Sequence, residues 1–209
     1  MSAISWSELS RAREEVRQRW REVYDLPLVR KRFPFLASFL KPEGKLLEVG
    51  AAERPFDERL KEAFPRLVHK TLDVDPSGRY DFQNLDEVSE TFDTVVAWEV
   101  IEHLPLEAIP GWLAELKRVT ASGGRVILST PNVYRPGQYW KDVTHRTPLA
   151  YTELGALLLM AGFQVASMHR TYTGSALQYA LVRGSPPGLL FRLWSLDFAQ
   201  SVVAVATPR

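Results

Sequence analysis

Carboxylates recur where strands would end in this sequence. Asp73 closes "HKTLDV", Asp75 follows it, Asp81 sits in "RYDF", and Glu99 ends "TFDTVVAWE". Ahead of them "KLLEVGAAERPF", Lys45 to Phe56, reads as a strand and turn with a single glycine, Gly50. In open parallel sheets ligands sit beyond the carboxyl ends of the strands, so a glycine turn and an acid one strand over define a crevice. Glycine lets the backbone turn tightly, and the following helix offers unpaired N–H groups. A carboxylate ending the second strand can accept both hydroxyls of a ribose, each charge-assisted bond contributing ~1.5 to 3 kcal/mol. Asp73 suits that task better than Asp75, which precedes Pro76 and Ser77 and reads as a turn residue. The turn is not G-x-G-x-x-G, because Ala52 and Pro55 fill the other glycine positions, and no Gly-Lys-Ser/Thr follows. A ligand without phosphates is expected, which disfavours a nicotinamide oxidoreductase.

A second concentration of chemistry lies in "PNVYRPGQYWKDVTHRTPLAY". This stretch offers Tyr134 and Arg135, and its Tyr139, Trp140, Asp142 and Arg146 are the candidate substrate contacts. His145 is the first candidate for a general base, and His103, at the start of a helical segment in "EVIEHL", the second. Each has a plainer reading, as a capping or loop histidine. His69 and His169 read as strand residues.

These groups need a scaffold, and the hydrophobic pattern supplies one. Strand-like runs alternate with short helical segments: "KLLEV", "PFDERLKEAF", "LVHKTLDV", "TFDTVVAW", "IPGWLAELKRV", "GRVILST" after the turn "ASGG", and "YTELGALLLMAGF" closed by Gly162. That alternation predicts an α/β fold with a parallel sheet covered on both faces. Leu9, Ala12, Val16, Trp20 and Val23 recur at helical spacing and predict an amphipathic helix within Ile4 to Tyr24, either packed on the domain or acting as a lid. A second helix is expected from Leu28 to Leu40, stopped by Pro42 and Gly44. In the tail, "FQVASMHRTY" and "SVVAVAT" read as strands, and "PPGLLFRLWSLDF" between them as a helix in a cover. One domain over residues 1–209 is expected, with N-terminal helices over 1–44, a cofactor-binding core over 45–170, and the insertion and last strand over 171–209.

Composition narrows the function classes. The 209 residues include no cysteine, which removes thiolate metal sites, disulfides and cysteine nucleophiles. No metal is expected. No stretch is apolar enough to span a membrane and the N-terminus lacks a signal-peptide core, so a cytoplasmic protein is expected, with peripheral membrane contact left open. A formal net charge of +1 gives no global attraction for nucleic acid.

Taken in order, "LLEVGAAERPF", "LDVDP", "YDF", "TFDTVVAWEVIEHL", "ASGGRVILSTPN" and "LGALLLMAGF" resemble the landmarks of the class I S-adenosylmethionine-dependent methyltransferases. The resemblance covers roughly Lys45 to Val165 and returns at "SVVAVAT". It implies a Rossmann-like, doubly wound, mostly parallel seven-stranded sheet with helices on both faces and an antiparallel last strand. It implies S-adenosylmethionine as cofactor, with Glu48, Gly50, Ala51 and Ala52 at the methionine end. Asp73 and Val74 fall at the ribose, Asp81 and Phe82 at the adenine, and Trp98 and Glu99 beneath the cofactor. The departure is E-V-G-A-A-E-R where the family usually shows E-x-G-x-G-x-G. An alanine at 52 would cost ~1 to 2 kcal/mol if that position required positive φ, and little otherwise.

The acceptor is harder to read. The N/D-P-P-Y/F signature of amino methylation on bases is absent after "TFDTVVAW". The N-terminal arginines are diluted by Glu14, Glu15, Glu22 and Asp25, which disfavours RNA. A small-molecule acceptor, lipid-like if the bulky tail walls an apolar pocket, is expected. The alternative is a donor-binding regulatory or partner protein without catalysis. The oligomeric state is not encoded in any motif.

Overall fold

The computed structural model describes residues 4–52, 57–175 and 191–209. Its centre is a seven-stranded sheet in the order β1-β6-β7-β5-β4-β2-β3. The strands are β1 (Leu28–Val29), β2 (Lys45–Val49), β3 (Val68–Leu72), β4 (Phe92–Ala97), β5 (Thr120–Pro131), β6 (Phe163–Thr171) and β7 (Ser201–Pro208). All pairings are parallel except those of β7, which runs antiparallel between β5 and β6. The α/β, Rossmann-like, mostly parallel sheet with an antiparallel last strand is therefore as expected from the sequence.

Alternate residues of each strand enter different cores, as the pleat requires. Leu47, Val49, Val95, Ala97, Val126 and Leu128 pack with helices α1 (Trp6–Arg19), α4 (Ile109–Val119) and α5 (Tyr151–Met160). Leu46, Val96, Ile127, Val203 and Val205 pack on the other side with Leu36 of α2 (Arg32–Ala37) and Leu60 of α3 (Asp57–Ala63). Helix α1 buries Leu9, Ala12 and Val16, three of the residues its periodicity singled out, so it is a packed helix and not a loose lid.

Two local expectations are corrected. The helix expected from Leu28 to Leu40 is a short strand followed by α2. Leu28 and Val29 pair with Arg170 and Thr171 at the sheet edge, and Pro34 falls in the first turn of α2, where its missing N–H costs nothing. The "ASGG" turn is not a break before a strand. It is an irregularity inside β5, where the register with β4 slips between Phe92 and Thr94 and Gly123 takes φ 72°. The expected first turn of α3 at Pro55 and residues 186–190 of the "PPGLLFRLWSLDF" segment lie outside the described residues; residues 191–193 are helical, but the helix expected to run on to Phe198 ends there, with Trp194 and Ser195 in a turn.

The cover and the sheet are joined by a buried ion pair. Arg170 on β6 donates to Asp197 over 2.8 Å, and Asn132, just past β5, donates to the same carboxylate over 2.8 Å.

Candidate active site

The carboxyl ends of β2, β3 and β4 meet at two clefts. Gly50 follows β2 with φ 75°, and its N–H and that of Ala51 both donate to the Leu72 carbonyl at 2.8 and 3.2 Å. This ties the turn to the end of β3. Ala52 has an ordinary negative φ, so alanine there requires room for a methyl and no strained backbone. Ala51 is buried and Ala52 exposed at the cleft rim.

Asp73 stands one strand over, 8 % exposed. Its Oδ1 accepts from the Asp75 N–H at 2.9 Å, which fixes the carboxylate, while Oδ2 has no hydrogen-bond partner among the described residues. That is the arrangement a diol-binding acid needs, with one oxygen anchored and one available. Asp75 turns onto Ser77 and serves the loop. The smaller cleft, about 520 Å³, is lined by Gly50, Asp73, Val74, Leu85, Leu104 and Trp112.

Asp81 and Phe82 line neither cleft. Asp81 accepts from the Thr71 N–H at 2.9 Å and from Lys70 at 2.8 Å. Burial raises its carboxyl pKa, but these donors outweigh it and hold the group below the usual carboxylate range. Phe82 makes a single bridge to Leu72, so this segment pins the edge of β3. The residues that reach the cleft are the next ones, Gln83 to Asp86, which no sequence signal distinguished.

The larger cleft, about 1120 Å³, holds Glu48, Trp98, Glu99 and Asp142, together with a cationic rim of Arg30, Lys31, Arg32 and Arg59. Glu48 is 3 % exposed and its Oε2 lies 3.1 Å from His69 Nε2, so it is engaged inside the sheet face. Glu99 has φ 54° in a non-glycine residue, a strained geometry that aims it at Ser129, from whose hydroxyl Oε1 accepts at 2.5 Å. Arg32 lies 3.9 Å from Glu99 and over the Trp98 ring.

His103 lines both clefts and so marks their junction. His145 stands behind it, ring to ring at 4.9 Å, and lines neither. Tyr139 is buried and its carbonyl accepts from His145, whereas Trp140 is 82 % exposed and Arg146 is exposed at the surface. Of the four expected substrate contacts only Asp142 borders the larger cleft. Glu102, one position before His103, is fully buried, and burial followed by the charge of Glu99 pushes its carboxyl up to about 8. The spacing E-x-x-E-H over Glu99 to His103 is the sequence signal that would have drawn it in.

A glycine turn tied to the next strand, an anchored acid with one open oxygen, and a cleft at the strand ends are the layout of an α/β protein that takes its ligand beyond the carboxyl ends of its strands. The profile of a methyltransferase-domain family matches residues 15–168, and the chain belongs to that family. No curated protein sequence matches it. Among solved structures it is similar to a SAM-dependent methyltransferase from Archaeoglobus fulgidus, at 15 % identity and TM-score 0.67 over 93 % of each chain. It is also similar to a putative methyltransferase complexed with the Trm112 activator of Haloferax volcanii, at 12 % identity and TM-score 0.62 over 99 % of this chain and 100 % of that one. A third is CalO1, a methyltransferase of calicheamicin biosynthesis in its SAH-bound form, at 18 % identity and TM-score 0.55 over 83 % of this chain and 52 % of that one. Among the described residues no helix is long and apolar enough to cross a membrane.

Proposed function

We propose that this protein transfers a methyl group from S-adenosylmethionine to a small-molecule acceptor bearing an acidic group. The observation that carries the reading is the pair formed by the Gly50 turn and the anchored Asp73 carboxylate at the mouth of the smaller cleft. Bound there, the donor supplies an electrophilic methyl on a sulfonium sulfur. Asp73 Oδ2 accepts from ribose hydroxyls, and Val74, Leu85, Leu104 and Trp112 give the base an apolar bed. Gly50 brings the backbone close to the methionine portion.

The acceptor occupies the larger cleft. Arg30, Lys31, Arg32 and Arg59 favour an anion there, and Phe33 and Trp98 offer flat surfaces for an apolar part. The lipid-like version of the expectation rested on the tail segment, of which residues 176–190 lie outside the described residues. His103 at the junction orients the acceptor's nucleophile, and alignment of donor and acceptor is worth ~7 to 11 kcal/mol. Incubating the protein with labelled donor and cell metabolites, then separating products by anion exchange, tests this reading. Label in the anionic fraction is expected; label confined to neutral lipid or to RNA contradicts it, and tight donor binding with no label favours the non-catalytic alternative.

A further inference from the structure

Behind the junction of the clefts, two buried side chains join His103 in an arrangement that orienting an acceptor does not use. Glu102 is fully buried, and neither of its carboxylate oxygens has a hydrogen-bond partner of good geometry. The nearby Thr130 hydroxyl is likewise buried without a hydrogen-bond partner. A buried acid left this way costs several kcal/mol unless something cationic or protic meets it. One ligand atom each from Glu102, His103 and His145 lies within 4.8 Å of the others, and His145 Nε2 is 4.0 Å from Glu102 Oε1.

The hydrogen bonds around the two imidazoles fix which nitrogens are available. His145 Nδ1 lies 2.6 Å from the Tyr139 carbonyl, which only accepts, so Nδ1 carries a proton and the neutral ring presents its lone pair at Nε2. The Thr144 hydroxyl donates to Asp142 Oδ1 at 2.6 Å, so its oxygen accepts from His103 Nδ1 at 2.9 Å, and again Nε2 is left with a lone pair. A carbonyl and a carboxylate-oriented hydroxyl holding the outer nitrogens is the support that metal-ligating histidines receive. The loop bearing His145 is itself clipped to Glu102, whose carbonyl accepts from the N–H groups of Arg146 and Thr147 at 2.8 and 3.0 Å.

We propose that Glu102, His103 and His145 bind one divalent cation of the class served by two imidazoles and a carboxylate, such as Zn²⁺, Mn²⁺ or Co²⁺, with open coordination positions toward the acceptor cleft. The donor set is nitrogen-rich for Mg²⁺ or Ca²⁺, which favour all-oxygen sites. Because His103 lines both clefts, the cation stands where an acceptor oxygen would meet the donor, an assignment of role that rests on the methyl-transfer reading. There it would polarise an acceptor hydroxyl and lower its pKa, so that the proton passes to solvent water and the oxygen then takes the methyl from the sulfonium, leaving the thioether product.

Metal-stripped protein titrated with Co²⁺ and followed by visible d–d absorption tests the site. Saturation at one equivalent, displaced by Zn²⁺, is expected. Glu102→Gln and His145→Gln should each weaken the apparent affinity at least tenfold, Thr144→Ala should weaken it less, and His169→Gln on β6 should leave it unchanged. Thermal unfolding of each variant reports whether it is folded, and Thr144→Ala, at an exposed position, keeps the test open if the buried substitutions are not. No spectral change at excess Co²⁺, or affinity unaltered in the ligand variants, overturns the proposal. Calorimetry with S-adenosylhomocysteine on the same stripped protein separates the two readings: nucleoside binding without a Co²⁺ response removes the cation alone, and a Co²⁺ response without nucleoside binding removes the donor site alone.

Discussion

A β-carbon built on Gly50 would stand 2.3 Å from Cγ2 of Val100. The turn after β2 and the residue three past the end of β4 are thus in contact, and Gly50 also needs φ 75°. Gly50→Ala is expected to lower stability by about 1 to 2 kcal/mol from backbone strain alone, with the clash added. Donor affinity should fall at least tenfold. Denaturant unfolding and calorimetry check both, and Val100→Ala in the same background should restore part of the stability and little of the affinity.

Substitutions at Asp73 and Asp81 are expected to separate donor binding from scaffolding. Asp73→Asn keeps an acceptor for the Asp75 N–H but weakens the charge-assisted bond to a ribose, so donor affinity should fall by about 1.5 kcal/mol, or tenfold, with a nearly unchanged melting curve. Asp81→Asn should do the reverse, because its oxygens hold Thr71 and Lys70. Equal affinity in Asp73→Asn would remove that residue from the site.

Asp93 supplies a pH dependence. Its carboxyl is held below the usual carboxylate range by the Lys41 ammonium first and the Lys45 N–H second. A depressed carboxylate stabilises the fold above its unfolded pKa, and that contribution is lost as pH falls through the folded value. Asp93→Asn is expected to cost roughly 1 kcal/mol at neutral pH, since the site is partly exposed. The difference from the unsubstituted protein should fade below about pH 4. Melting temperatures measured from pH 7 to pH 3 decide it; a constant difference would contradict the assignment.

The Arg170 and Asp197 pair should be costly to break from one side. Both are about 95 % buried, and Asp197 also receives Asn132. Asp197→Ala leaves a buried guanidinium without its counter-charge and is expected to cost about 3 to 5 kcal/mol. Replacing both partners with apolar residues should cost less, measured by denaturant unfolding.

What could be read from the chain follows from where its signals are local. The alternation from Lys45 to Gly162 gave the order of strands and helices because each is long and periodic. The places of Gly50 in the turn after β2 and of Asp73 just past β3 were legible because a lone glycine and an acid ending a strand are sequence features. Leu28 and Val29 were not, since a two-residue strand exists only through its pairing with β6. The roles of Asp81 and Glu48 were obscured for a related reason: their partners, Thr71 with Lys70 and His69, are fixed by folding and not by spacing. The Glu102 carboxylate was missed because its burial is set by folding, although the E-x-x-E-H spacing places it beside His103.

Methyl transfer at this site requires the Gly50 and Asp73 crevice to hold an adenosyl sulfur compound. Calorimetric titration of S-adenosylhomocysteine into the protein and into Asp73→Asn tests this most directly. Saturable heat at one site in the first, with affinity about tenfold weaker in the second, is predicted. Absence of heat at saturating ligand in the unsubstituted protein, or identical isotherms for the two, would contradict it.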